Sequence, residues 1–164
     1  MKAPPIREVL LVEDDPDDVM LMKNALESGR GLIDLKVVSD GVEAMTYLRG
    51  EGAFIGTSRP ALILLDWRLP RKSGEEVLRE LRGDAVLRLI PVLVLTTSGS
   101  DADIRTAYSL GANAFLTKPT GAVKLKELIS LIERFWLDFV SLPSKPEPVA
   151  AHPAHSDAES SPPR

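Results

Sequence analysis

The sequence predicts an α/β fold, a doubly wound sheet of five parallel strands with five helices. Short apolar runs alternate with segments of helical periodicity, which is the pattern of βα units around a parallel sheet. The run at residues 61–65 is apolar throughout, as expected of a strand buried on both faces. Strict alternation also implies right-handed crossovers, so we expect helices on both faces of the sheet.

Five apolar runs are the predicted strands. Each is bounded by turn residues or by a helical segment. In chain order they cover approximately residues 8–13, 34–39, 61–66, 91–95 and 112–117. The third run ends at Asp66, so a carboxylate leaves a buried strand at a turn, where ligands bind in open α/β sheets.

Capping residues mark the starts of the helices. The first helix is expected to begin at Pro16, with Asp15 as its N-cap and Asp18 in its first turn. The second and third helices are preceded by patterns that resemble capping boxes, Asp40–Glu43 and Ser73–Glu76. The fourth helix should end near residues 110–111, and the last should run from about residue 120 to residue 136 or slightly beyond.

Composition limits the classes of function. The chain has 164 residues, of which 44% are hydrophobic, which allows one ordinary domain with a real core. A net charge of -4 gives no reason to expect nucleic-acid or membrane-surface binding, which requires clustered Lys and Arg. There is no cysteine for disulfides or thiolate metal sites, and no apolar run is long enough to span a membrane. We therefore expect a soluble, cytoplasmic protein.

The composition divides the chain into a domain at residues 1–142 and a tail at residues 143–164. From Pro143 the sequence is rich in Pro, Ser and Ala and has little apolar material to bury. This composition is typical of a disordered segment. His152 and His155 lie in the tail without further ligands, so they do not predict a metal site.

Polar residues follow four of the predicted strands. They are Glu13 and Asp14 after the first, Asp66 after the third, Thr96 after the fourth and Lys118 after the fifth. Parallel strands bring these residues to one edge of the sheet. Three close carboxylates cannot all stay ionised unless a cation offsets their repulsion, and an all-oxygen ligand set suits Mg²⁺. A carboxylate beside Mg²⁺ and a lysine can attack a phosphoryl donor.

Four motifs occur together in the order and spacing of a known family. They are Leu10–Asp15, Leu64–Pro70, Leu93–Thr97 and Ala114–Pro119. Over roughly residues 7–140 the chain resembles the receiver domain of two-component response regulators, CheY-like proteins with a flavodoxin-like fold. Four further features resemble a narrower group, the stand-alone regulators associated with bacterial phytochrome kinases. They are the long loop at residues 50–60, Leu95–Ser98, Tyr108 with Gly111–Asn113, and the late Phe135-Trp-Leu sequence.

This resemblance implies a phosphoacceptor and a metal site. Asp66 is then the residue that accepts the phosphate. The carboxylates of Glu13, Asp14 and Asp66 and the backbone carbonyl of Arg68 are then the ligands of Mg²⁺. Glu13 stands where the family more often has Asp, which lengthens one ligand arm.

The resemblance also implies phosphate-contacting and switch residues. Thr96, Thr97 and Lys118 would contact the phosphate, and Thr96 and Phe115 would form the switch. Phe115 lacks the hydroxyl of the Tyr often found there, so aromatic switching must rest on packing. The family also implies a cis bond between Lys118 and Pro119.

The implied function is that of a single-domain response regulator rather than an enzyme. It would take phosphate from a sensor histidine kinase, of the phytochrome type, and signal by a conformational change, with only self-phosphorylation and autodephosphorylation chemistry. Two alternatives stay open, a receiver-like binding module that takes no phosphate and a phosphatase with an Asp nucleophile. Such phosphatases have Asp-x-Asp after their first strand, whereas Asp66 follows the third strand here.

The last helix has a broad apolar face. The stripe expected to pack on the sheet consists of Leu125, Leu128, Ile129, Ile132, Trp136 and Phe139. Leu131 and Phe135 widen this face beyond what a monomer usually exposes. We therefore predict a homodimer through this helix and the fifth strand, with Leu131, Phe135, Trp136 and Phe139 at the interface. The alternative is that residues 137–142 fold back on their own domain.

Overall fold

The computed structural model describes residues 5–27 and 31–143. One parallel sheet has the strand order β2-β1-β3-β4-β5. The strands are β1 (Arg7–Val12), β2 (Ile33–Val38), β3 (Leu62–Leu65), β4 (Val92–Thr96) and β5 (Ala114–Thr117). The helices are α1 (Pro16–Glu27), α2 (Gly41–Arg49), α3 (Gly74–Gly83), α4 (Asp101–Ser109) and α5 (Ala122–Ile132), and a π-helical segment, Glu133–Phe139, continues α5. The predicted doubly wound α/β fold is confirmed.

The central strands are buried on both faces of the sheet. Leu10, Ile63 and Val94 belong to a core that is closed by α2, α3 and α4. The residues that alternate with them belong to a second core, closed by α1 and α5. Side chains alternate between the two faces along a strand, so each central strand needs apolar residues at every position. This is why the strands read as continuous apolar runs in the sequence.

The predicted helix starts are observed, with one difference. The carboxylate of Asp15 accepts a hydrogen bond from the N–H of Asp17 at 2.8 Å, and Ser73 forms a complete capping box with Glu76. Asp40 also accepts from the N–H of Glu43. The Glu43 carboxylate, however, bonds the N–H of Ser39 at 2.8 Å, one residue before the cap, so this motif differs from a standard capping box.

The end of α5 departs from the predicted periodicity. Phe139 was expected to pack on the sheet, but its side chain is 70% exposed, and this expectation is wrong. In the π-helical segment the N–H of Val140 donates to the carbonyl of Phe135, so the spacing of the backbone hydrogen bonds widens from four residues to five. Leu137, five residues after the buried Ile132, packs against the core in place of Phe139.

The segment that follows the π-helical segment lies against the fold. Val140 is extended, and Pro143 lines a cavity of about 270 Å³ at the amino-terminal edge of the sheet. The fold-back of residues 137–142, which was the alternative to the homodimer, is observed at Leu137, which packs against the core. The rest of the predicted tail lies outside the described residues. No helix in the described part of the chain is long and apolar enough to cross a bilayer.

Candidate functional site

The carboxyl ends of four strands meet at one edge of the sheet. Val12 at the end of β1 pairs with Leu65 at the end of β3, and the N–H of Asp66 donates to the Val12 carbonyl at 3.0 Å. On the other side of β3, the N–H of Lys118 donates to the Thr96 carbonyl at 2.7 Å. This register sets the polar residues that follow the strands side by side.

Three carboxylates converge at this edge. One oxygen each from Glu13, Asp14 and Asp66 lies within 4.8 Å of the others. Glu13 and Asp66 are buried, whereas Asp14 is exposed. The structure thus brings together the three residues that the sequence predicts as metal ligands. Carboxylate oxygens at this spacing fit a divalent cation, because such a cation offsets their mutual repulsion.

The ammonium group of Lys118 lies among these carboxylates. Its Nζ contacts a Glu13 oxygen, the Asp18 Oδ2 at 2.8 Å and the Asp66 Oδ2 at 3.4 Å. Burial alone would lower the pKa of Lys118, but the hydrogen bonds to Asp18 and Glu13 and the charge of Asp66 raise it above the usual value. Lys118 therefore stays positively charged and partly neutralises the site.

Asp18 is a site residue that sequence reasoning assigned only to the first turn of α1. It follows the Asp15 cap by three residues, which places it at the carboxyl edge of the sheet beside the end of β5. Asp18 and Lys118 are one hundred residues apart in the chain. The sequence did contain a signal for this role. Asp18 is the second acidic residue after Asp15, and capping of the helix by Asp15 does not require it.

Burial raises the pKa of Glu13 to about 7, against an ordinary value of 4.5. The Glu13 side chain is 1% exposed, so water cannot solvate its ionised form. The hydrogen bonds from Lys118 and from the N–H of Asp15 act in the opposite direction, and the neighbouring charge of Asp66 raises the pKa further. Without a divalent cation, Glu13 is therefore partly protonated near neutral pH.

This pKa predicts that the metal-free protein loses stability as pH rises. Glu13 binds its proton more tightly in the folded chain than in the unfolded one. Its contribution to the free energy of unfolding is therefore fully present below about pH 4.5 and is lost as pH rises through about 7. The change is at most about 3 kcal/mol. Urea unfolding with a chelator, at about pH 5 and about pH 8, should show a smaller stability difference for Glu13→Gln than for the wild type. An equal pH dependence in the two proteins would contradict the assignment.

The residues that the resemblance assigns to phosphate contact and switching lie at the ends of β4 and in β5. Thr96 is fully buried, and its hydroxyl donates to the Ser98 carbonyl at 3.4 Å, while Thr97 is exposed. Phe115 is half-buried, and its ring packs edge-on against Trp67 with 6.1 Å between centroids.

The peptide bond before Pro119 differs from the expectation. Residues 5–27 and 31–143 contain no cis peptide bond, so the expected cis bond between Lys118 and Pro119 is wrong. The trans form is the intrinsically preferred isomer, by about 0.5–1 kcal/mol.

A second missed residue, Asp103, connects the β3–α3 loop to α4. The Trp67 indole N–H donates to its Oδ1 at 3.1 Å, and the Arg68 guanidinium donates to its Oδ2 at 2.7 Å. Asp103 also completes a capping box with Ser100. The Ser-x-x-Asp spacing was visible in the sequence, but its contacts with Trp67 and Arg68 were not.

Known proteins resemble this chain over most of its length. The family model of the response regulator receiver domain matches residues 9–130. The response regulator Rcp1 of Synechocystis is 40% identical over 85% of this chain and 95% of its own length. The probable methanogenesis regulatory protein FilR2 of Methanothrix harundinacea is 43% identical over 79% of this chain and 83% of its own.

Solved structures of such proteins have the same fold. The phosphorylated cyanobacterial phytochrome response regulator RcpA has a TM-score of 0.81 at 43% identity, covering 84% of this chain and 99% of that one. The Mn²⁺-bound form of Rcp1 has a TM-score of 0.80 at 40% identity, with the same coverage. With the family model, these similarities show that the chain belongs to the response regulator receiver domain family.

Proposed function

We propose that Asp66 accepts a phosphoryl group from a phosphohistidine of a sensor histidine kinase. An Asp66 carboxylate oxygen attacks phosphorus, the P–O bond forms, and the P–N bond breaks with its electron pair returning to the imidazole, which takes up a proton. The observation that carries this proposal is the position of Asp66, beside two further carboxylates and in contact with the Lys118 ammonium. Beyond self-phosphorylation and autodephosphorylation, the proposal includes no enzymatic turnover.

The proposed cation is Mg²⁺, held by Glu13, Asp14, Asp66 and the backbone carbonyl of Arg68. When bound, it supplies positive charge to the transferring oxygens. Lys118 supplies a second positive charge from the end of β5, and its contacts with Glu13 and Asp18 hold its Nζ beside Asp66. The fit of carboxylate oxygens to a hard cation and the Mn²⁺-bound form of the relative Rcp1 support this part of the proposal.

The response to phosphorylation is proposed to involve Thr96, Thr97 and Phe115. The hydrogen bond that the buried Thr96 hydroxyl donates to the Ser98 carbonyl is long, 3.4 Å, so a phosphate oxygen is a better acceptor for it. Thr97 follows at the exposed end of β4 and is a further phosphate contact in this proposal. Movement of Thr96 would change the space that the Phe115 ring occupies, because this ring lies directly against Gly99, in the loop that follows Thr96.

Intact mass measurement tests the proposed phosphoacceptor. Incubation with a small phosphodonor and Mg²⁺ should add one phosphoryl group to the wild type and none to Asp66→Asn, because the amide cannot attack phosphorus. Asp34→Asn is a matched control, since Asp34 is half-exposed on β2 and forms an ion pair with the neighbouring Lys36, away from the carboxyl edge of the sheet. An unmodified wild type, or equal modification of Asp66→Asn, would reject the proposal.

The kinase partner is proposed to be of the phytochrome type. Rcp1 and RcpA are similar to this chain over nearly their whole length, and RcpA is a cyanobacterial phytochrome response regulator. A purified phytochrome kinase should transfer phosphate to the wild type and not to Asp66→Asn. The reaction is proposed to take place in the cytoplasm, where such a kinase domain meets its regulator.

A homodimer through the outer face of the last helix, formed by α5 and the π-helical segment that continues it, and through the neighbouring β5 is also proposed. Three large apolar side chains lie on this face, Leu131 at 65% exposure, Phe135 at 58% and Phe139 at 70%. Trp136, also predicted at the interface, is half-buried against the core and packs edge-on against Phe135 with 5.8 Å between centroids. It would support the interface by positioning Phe135. The neighbouring β5 is an edge strand.

Charge on this face should abolish the dimer. Phe135→Asp combined with Phe139→Asp would bury two carboxylates between the protomers, so we expect a monomer in sedimentation equilibrium. Ile55→Asp is the matched control, because Ile55 is 78% exposed but lies in the loop between α2 and β3. A wild type that sediments as a monomer at micromolar concentration would contradict the dimer.

A further inference from the structure

One carboxylate joins the loop after β3 to the first turn of α4. The Asp103 oxygens accept hydrogen bonds from the Trp67 indole, the Arg68 guanidinium and the N–H of Ser100. Trp67 and Arg68 are the two residues that directly follow Asp66. A single side chain thus binds both residues that follow the proposed phosphoacceptor and also completes the capping box of α4.

Arg68 is connected to Asp66 as well as to Asp103. Its backbone N–H donates to the Asp66 Oδ1 at 3.1 Å, while its guanidinium lies 2.7 Å from the Asp103 Oδ2. The Arg68 side chain is 64% exposed and that of Asp103 is 19% exposed. The guanidinium therefore has room to change partners, whereas Asp103 is held in the first turn of α4 by its capping box with Ser100.

Phosphorylation would change the competition for this guanidinium. An aspartyl phosphate carries more negative charge than a carboxylate and presents additional acceptor oxygens. Lys118 already contacts the carboxylates of Glu13 and Asp18, so its charge is shared. A guanidinium binds phosphate oxygens in a bidentate manner, which makes Arg68 a suitable second cation for the phosphoryl group.

We propose that Asp103 is a positioning residue that holds the Arg68 guanidinium at the start of α4 until the phosphoryl group on Asp66 takes this guanidinium in its place. This inference rests on the proposed phosphorylation of Asp66. Release of Arg68 removes one of the bonds between the β3–α3 loop and α4, so the state of Asp66 is transmitted to the first turn of this helix.

Linkage gives the sign of the expected effect. An ion pair that is present only in the unphosphorylated state favours that state, so its removal favours phosphorylation. Asp103→Asn removes the charge but keeps an acceptor oxygen for the capping box. At limiting phosphodonor, the steady-state ratio of phosphorylated to unphosphorylated chain should rise about two- to fivefold, the range expected for a partly exposed ion pair.

Two comparisons separate this exchange from a general structural effect. In an Arg68→Ala background, Asp103→Asn should leave the ratio unchanged, because no guanidinium remains to be released. Asp40→Asn is the matched control, since the Asp40 carboxylate also takes part in the capping of a helix, as its N-cap, and pairs with an arginine of the same loop, Arg71, at 2.9 Å with similar exposure. It should not change the ratio in the wild-type background.

Each outcome decides the inference. A rise with Asp103→Asn that disappears in the Arg68→Ala background supports it. No rise, an equal rise in both backgrounds, or an equal rise with Asp40→Asn overturns it while leaving the phosphorylation of Asp66 intact. A wild type that takes up no phosphoryl group overturns the proposed function and the exchange together.

Discussion

Lys118→Met should lower the free energy of unfolding of the metal-free protein by about 3–5 kcal/mol, measured by urea unfolding at about pH 8. The substitution keeps an unbranched side chain that is only one atom shorter, but it removes the ammonium that contacts Glu13, Asp18 and Asp66. The Lys118 and Glu13 side chains are 5% and 1% exposed, so water cannot replace the lost partner. Removing one member of a buried ion pair leaves the other charge uncompensated, which is why the expected loss is large.

The same substitution at an exposed site is the control. Lys36 pairs with Asp34 at 3.2 Å, but both side chains are nearly half-exposed, so Lys36→Met should change stability by less than about 1 kcal/mol. Mg²⁺ should restore part of the stability of Lys118→Met, because a divalent cation among the same carboxylates also offsets their repulsion. A loss at Lys118 no greater than that at Lys36 would show that the carboxylate cluster does not depend on this ammonium.

Gly74→Ala should destabilise the protein by about 1–3 kcal/mol and slow phosphorylation of Asp66. A Cβ at Gly74 would lie 2.4 Å from the Asp66 carbonyl oxygen and 2.8 Å from the Trp67 Cα, both backbone atoms that cannot rotate away. The first turn of α3 or the Asp66 loop must therefore move. A small displacement of a reacting group lowers rates strongly, so the phosphorylation rate should fall by at least about tenfold.

Gly83→Ala, in the last turn of the same helix, should have the opposite sign. Nothing lies within 4 Å of a Cβ built there, so the substitution should stabilise the protein by about 0.4–1 kcal/mol through the unfolded state. Thermal or urea unfolding gives the stabilities, and intact mass against time gives the phosphorylation rates. Equal effects of the two substitutions would mean that contact with the Asp66 backbone does not constrain Gly74.

The strands and helix starts could be predicted because their signals are local. Apolar runs, Asp15 before Pro16 and the Ser73–Glu76 capping box each need only a few neighbouring residues. The grouping of Glu13, Asp14 and Asp66 followed from strand ends alone, since parallel strands share one carboxyl edge.

Contacts between distant segments could not be predicted in this way. Asp18 was assigned a helix position, but its contact with Lys118 depends on how α1 packs against the end of β5. Phe139 was assigned to the buried stripe because an α-helical period was assumed, and the π-helical segment shifts that period.

The sequence by itself determined the fold class, the order of the elements and the residues that end or directly follow the strands at the carboxyl edge of the sheet, because periodicity, capping and strand ends are encoded locally. Only the tertiary structure decided which groups touch. It placed Lys118 among Glu13, Asp18 and Asp66, and it placed Asp103 against the two residues that follow Asp66. These contacts depend on the packing of helices on both faces of the sheet, and the charges and pKa values of the site depend on the burial that this packing produces.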